Sequence, residues 1–454
     1  MILLTRLSAF LVLLGLAAAW SAGQDVPARL TLKDAVELAV EHNPALQAAA
    51  LDRQAAKEQT RQAKSMYYPR VDFRETFTNG NNPVYAFGSL LNQRSFTAAD
   101  FALDRLNHPD PLNNFKSEVT VYQSIWEGGK TQARNRMAGL NEQLKERQET
   151  QARQQLLFDV VKSYFAIQLG GENLAATRSA LASAEANLQR IQNLFDSGMV
   201  VESDLLRMKV HVADVQRQVL EAENQLQLSK SALDVALGHA LPPGFEPATP
   251  LTLRAAPPAG LDELKAAALQ QRPEILQLQL AEGMTLEQAN EARGDYKPGV
   301  GFFSTLEYNF GTDWENQGGN YLLGVQLRWN IYDGEAKGAR VAEARSNAAR
   351  IEAQRQNLSN QIGLQVTDAW LRLRTAGQQH AVAVSAVTQA EESLRIIRNR
   401  YEAGLAPLTD LLNAETSLLG TRTHVSQALY QQNLALASLE LSTGRLDLAS
   451  PLFN

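Results

Sequence analysis

Two aspartates in this chain share one local setting. Phe195-Asp-Ser-Gly198 leads to Asp204-Leu-Leu206, and Tyr401-Glu-Ala-Gly404 leads to Asp410-Leu-Leu412. A glycine can take the left-handed conformation that ends a helix, and a carboxylate in the first turn of the next helix meets the positive end of its dipole. Ser203 and Thr409 stand where a hydroxyl can cap that helix. The chemistry within reach is electrostatic: stabilisation of a helix start, or attraction of a cation. Catalysis has no comparable candidates. The six histidines (42, 108, 211, 239, 380 and 424) have no metal-ligand spacing, and neither cysteine, phosphate loop nor nucleophile elbow occurs. Isolated carboxylates along the helices read as solvated faces. The chain is read as a non-enzyme, with no cofactor and no metal.

Both settings belong to an internal duplication. Val119–Gly238 aligns without a gap on Val325–Gly444 at a constant offset of 206, so Gly128, Arg134, Gly198, Asp204 and Gly238 fall on Gly334, Arg340, Gly404, Asp410 and Gly444. One structural unit is therefore built twice. A second offset, 229, pairs Asn43-Pro44 with Arg272-Pro273 and Pro69 with Pro298, which leaves 23 extra residues in the first half. They fall in Asn79–Asn114, whose Asn, Pro, Gly and Asp read as a loop. The repeats span 24–240 and 261–454. The proline-rich stretch 241–260 between them reads as an extended linker rather than a packed element.

Most of the remainder is helical. Leu181, Ala184, Leu188, Ile191 and Phe195 are spaced alternately by three and four, as are Val387, Ala390, Leu394, Ile397 and Tyr401. Sustained heptads of this kind mark coiled-coil packing. A helix from Lys130 to Phe195 would reach ~100 Å at the usual rise per residue. Gly170, Gly171 and Gly377 are expected to bend or break these helices, and turns near 196–203 and 402–409 to reverse them.

Four stretches read as strands, near 70–78, 117–127, 299–310 and 320–332. In the last, Leu323, Val325, Leu327, Trp329 and Ile331 face one way and Gln326, Arg328 and Asn330 the other. Such alternation fits a membrane barrel with a wet interior. Residues 1–23, with an apolar core from Leu7 to Trp20 and small residues after it, read as a secretory signal peptide. Beyond them no apolar run reaches the ~18 residues of a spanning helix, so the mature chain could cross a membrane only as strands. Open sheet edges in lipid cost several kcal/mol per unpaired group, and four strands cannot close a barrel. A dimer would supply eight strands and a trimer twelve, and only twelve leave an aqueous lumen without a plug. A net charge of -6 argues against a nucleic-acid partner.

With its signal segment, its duplicated helix–hairpin–helix order, Tyr68-Pro69 and Lys297-Pro298 before the hairpins, and paired glycine turns, the chain resembles the TolC family of outer-membrane efflux proteins from about Leu30 to Gly444. The resemblance implies a mainly α fold with a transmembrane β-barrel: a homotrimer whose twelve-stranded barrel continues into a long periplasmic α-helical coiled-coil barrel. It implies a passive exit duct in the bacterial outer membrane, serving a periplasmic adaptor protein and an inner-membrane pump. It makes Asp410 a pore constriction that favours cations, with Asn413 where a second acidic residue often stands. Tyr401 becomes a tie between coiled coils at the gate, and Asp204 a further gate candidate. Ala406 replaces a basic partner. Gly198, Met199, Val200, Gly404, Leu405 and Ala406 become adaptor-docking turns. The competing reading is a soluble periplasmic coiled-coil scaffold or adaptor without a membrane pore.

Overall fold

The computed structural model describes residues 29–453 apart from 256, 257 and 313, and the expected signal peptide lies outside them. In chain order the elements are β1 (Arg29–Leu30), α1 (Leu32–His42), α2 (Pro44–Ser65), β2 (Arg70–Gly80), α3 (Pro83–Asn92), α4 (Leu103–Asn107), β3 (Leu112–Trp126), α5 (Lys130–Asp196), α6 (Glu202–Ala236), β4 (Glu246–Pro247), α7 (Leu261–Gln271), α8 (Pro273–Gly294), β5 (Gly299–Phe310), β6 (Gln317–Arg328), α9 (Ala336–Glu402) and α10 (Leu408–Ser442). The duplication extends to element length. Helices α5 and α9 each have 67 residues, and α6 and α10 each have 35. The chain forms two compact units, one of Ala48–Gln151 with Leu269–Ile362 and the other of the remaining three segments.

The first unit carries an antiparallel sheet in the order β2-β3-β5-β6. Its register sorts the side chains into two faces, because laterally paired residues point the same way. One face aligns Phe73, Val119, Leu306 and Tyr321, then Val71, Val121, Ser304 and Leu323. The other aligns Asp72, Thr120, Thr305 and Leu322, and Arg74, Glu118, Glu307 and Asn320. On the second face Lys116 Nζ lies 2.6 Å from Glu118 and 2.9 Å from Glu307. The apolar face is exposed at Val71, Phe73, Phe77, Tyr321, Leu323 and Val325. Aromatic side chains gather at both of its ends, Phe77, Phe115 and Phe310 at one and Trp126 and Trp329 at the other.

The segment expected to be a loop, Asn79–Asn114, is largely ordered secondary structure. It lengthens β2 and β3 and holds α3, a 3-10 turn and α4. The local reason is capping. Asn82 accepts hydrogen bonds from the amides of Val84 and Tyr85, Pro83 opens α3, and Thr97 and Asp100 form a capping box. Polar composition marked capped short helices here, not only a loop.

In the second unit the core is built on Tyr164 and Phe165, both fully buried. The stretch 241–260 departs from the expected unpacked linker. Glu246–Pro247 pairs in parallel with Arg29–Leu30, Phe245 is buried edge-on to Tyr164, and the Thr249 amide donates to Tyr164 Oη. Proline kept the segment extended, and one aromatic anchors it. The glycines at 170, 171 and 377 do not break their helices either. A Cβ at Gly170 would lie 3.2 Å from Leu226 Cα, so that glycine serves close approach of α6 to α5. Among the described residues no helix is long and apolar enough to cross a membrane.

Candidate functional site at the helix-reversal turns

Both reversal turns close the way their glycines suggest. Gly198 and Gly404 each have φ +71. The Gly198 amide donates to Phe195 O and that of Met199 to Leu194 O. The amides of Gly404 and Leu405 donate to Tyr401 O and Arg400 O. These bonds satisfy carbonyls that a helix end would otherwise leave unpaired. The next helices start two residues earlier than a Ser203 or Thr409 cap requires. Val201 and Pro407 are the N-caps, neither with a side-chain bond. Ser203 and Thr409 therefore lie inside the first turn. Asp204 and Asp410 stand at its third position, where a carboxylate faces the dipole, and their amides close the turn on Val201 O and Pro407 O.

Behind the turns lies one apolar cluster drawn from all four helix ends. Ala184, Ile191, Leu205, Met208, Leu394, Leu408, Leu411 and Ala414 are buried in it, with Phe195, Val200 and Tyr401 packed against them. The heptad positions read from sequence on α5 and α9 supply Ala184, Ile191 and Leu394, and α6 and α10 supply the other buried members. Of the four apolar turn residues, Met199 and Leu405 are exposed at 73% and 69%. Val200 packs on the cluster and Ala406 is half-buried, so these two offer little surface.

Asp410 and Asn413 are exposed, one helical turn apart on α10. Tyr401 is brought towards Asp204 of the other turn. Burial, then the Asp204 carboxylate, push its phenol above the usual value, while Arg190 pulls it down. Arg190 of α5 pairs with Glu402 of α9, a cross-helix link near this tyrosine. The structure thus brings Tyr401 within electrostatic reach of Asp204 and places Asp410 with Asn413 on an exposed stretch of α10.

One polar junction escaped the sequence. Glu415, on α10, has a side chain only 10% exposed, against the expected solvated face. Asn187 Nδ2 of α5 donates to its Oε1 at 2.7 Å, His211 of α6 lies 3.8 Å away and Arg398 of α9 3.6 Å. The four residues come from four helices, so no local spacing announces them. Burial raises the Glu415 carboxyl above the ordinary carboxylate range, more than His211, Arg398 and Asn187 lower it. The folded state therefore favours the protonated acid, and stability is lost as pH rises from the ordinary value through the raised one. Glu415→Gln is expected to raise the thermal midpoint of detergent-solubilised protein at neutral pH. The gain should vanish below the ordinary carboxylate range; a variant that melts lower at neutral pH would refute this account.

Comparison with known proteins gives these turns their context. The family model described as Outer membrane efflux protein matches residues 35–239 and 264–445. Among curated relatives, the alkaline protease secretion protein AprF of Pseudomonas aeruginosa is 23% identical over 92% of this chain and 85% of its own length. TolC of Escherichia coli is 20% identical over 89% and 80%. Among solved structures, that of VceC from Vibrio cholerae superposes with a TM-score of 0.76 at 20% identity, covering 91% of this chain and 96% of its own. That of the CmeC outer-membrane channel of Campylobacter jejuni gives 0.77 at 18% identity, over 93% and 87%. With matching segments in both repeats, with the fold shared, and with paired glycine turns closing its long helices, the chain belongs to the outer membrane efflux protein family and is an outer-membrane efflux or secretion channel.

Proposed function

We propose that three copies of this chain form a passive exit duct, its reversal turns docking a periplasmic adaptor that serves an inner-membrane pump. The observation that carries this reading is the sheet. Among the described residues β2 and β6 pair on one side only, and the apolar face is exposed. Unpaired edges and an apolar outer face are tolerated together only if copies close edge to edge in lipid. Twelve strands then leave a lumen lined by the polar face. Chemical cross-linking and mass measurement of the detergent-extracted protein should give three copies. Recovery as a detergent-free soluble monomer would instead favour the scaffold reading.

In this assembly Asp410, with Asn413 beside it, rings the constriction, and Tyr401 with Asp204 and the Arg190–Glu402 pair ties the helices that hold it closed. Met199 and Leu405, at the turns made by Gly198 and Gly404, are the apolar adaptor contacts, with Val200 and Ala406 supporting them from beneath. A carboxylate acting on a cation at close range in water is worth about 1 kcal/mol. Asp410→Ala should therefore lower the cation-to-anion permeability ratio in planar bilayers about fivefold, and an unchanged ratio would remove Asp410 from the constriction.

A further inference from the structure

Helix α3, built within the 23 extra residues of the first repeat, does not stand off the sheet. It lies across the sheet's polar face, at the end where β2 and β3 meet their connection. At its start Tyr85 Oη donates to Thr78 O of β2 at 2.9 Å. At its end Gln93 Nε2 donates to Asn113 O at 2.8 Å and to Asn114 Oδ1 at 2.9 Å, and Asn114 Nδ2 reaches Asn309 Oδ1 of β5 at 2.9 Å. All three side chains of this chain of amides are buried. Buried amides bonded in series fix one geometry, because each partner lost strands a polar group. Over β6 the approach is closer still: a Cβ on Gly318 would fall 2.1 Å from the Asn92 carbonyl oxygen. Thr78, Asn114, Asn309 and Gly318 all belong to the face that carries Lys116 and Glu307.

The helix is amphipathic in an unusual sense. Ala86, Ser89 and Gln93 are buried against the sheet, while the opposite stripe is apolar and exposed, with Val84 at 83% and Leu91 at 49%. Phe87 extends that stripe and is held edge-on by Phe96, itself edge-on to Phe101. A short helix that turns its small and polar side to the protein and its large apolar side outward has been placed for what it presents.

We propose that α3 is an outer constriction of the duct, in which Val84, Phe87 and Leu91 form an apolar collar that limits what passes the mouth of the barrel. This rests on the duct reading, since only a closed barrel turns the polar face into a lumen and repeats α3 around it. Narrow apolar collars oppose permeation by excluding water.

The chain has no cysteine, so a single introduced thiol reports alone. Thr120→Cys places one on the polar face further along the strands, and Leu323→Cys places one on the apolar face. Intact cells carrying the full chain are exposed to a bulky, membrane-impermeant polyethylene-glycol maleimide. Thr120→Cys should label slowly, and roughly tenfold faster when the collar is made polar by Val84→Asp with Leu91→Asp. Gly318→Val, which forces α3 off β6 without altering the collar, should accelerate labelling as well. A small maleimide should reach Thr120→Cys in every background. Equal labelling by the bulky reagent with and without these changes overturns the collar. Labelling of Leu323→Cys by the small reagent while Thr120→Cys stays silent overturns the duct reading itself.

Discussion

Gly128→Ala is expected to destabilise the protein by about 3 kcal/mol, whereas Gly334→Ala, at the duplicated position, should cost about 1 kcal/mol. Both glycines have φ +69, so a Cβ is strained at either. Their surroundings differ. A Cβ on Gly128 would lie 2.6 Å from the Gly294 carbonyl oxygen and 2.9 Å from Lys297 Cβ, while one on Gly334 meets nothing within 4 Å. Backbone cannot rotate away as a side-chain tip can, so α8 must shift where it meets the start of α5. Urea unfolding of the two variants in detergent measures the difference. Equal losses would mean that only the dihedral matters and the close approach does not.

Leu323→Arg should prevent stable assembly, while Thr305→Arg on the opposite face should be tolerated. Leu323 lies in the row of Val71, Val121 and Ser304 on the exposed apolar face, and Thr305 pairs with Thr120 and Leu322 on the other. A charge on the lipid face near the membrane midplane costs about 2–4 kcal/mol, and a trimer meets that cost three times. On the luminal face the guanidinium stays hydrated. The yield of oligomer in the outer-membrane fraction separates the two cases. Comparable yields would mean that the apolar face does not meet lipid.

Much of the architecture was legible because its signals are local and repeated. The 206-residue offset anticipated helices of equal length, the three-and-four spacing named Ala184, Ile191 and Leu394 of the apolar cluster, and the glycines marked both reversals. Alternation along Leu323–Ile331 gave the apolar face, although pairing ends at Arg328. The site was legible in part. Asp204 and Asp410 were placed in their first turns, but the capping residues were misread, because Pro407 and Val201 in extended conformation start the helices without a side-chain bond. Val200 looked like surface and is packing.

By itself, the sequence determined the duplication, which a constant offset displays directly, and the periodicities and turns, which depend on backbone preferences over a few residues. Only the tertiary structure decided three things. It drew Asn187, His211 and Arg398 from three helices around the largely buried Glu415 carboxylate of a fourth. It folded the inserted segment onto the polar face instead of leaving it as a loop. It also packed one glycine of a duplicated pair against a neighbouring backbone and left open space beside the other. Each depends on which atoms meet across hundreds of residues, and neither propensity nor spacing carries that information.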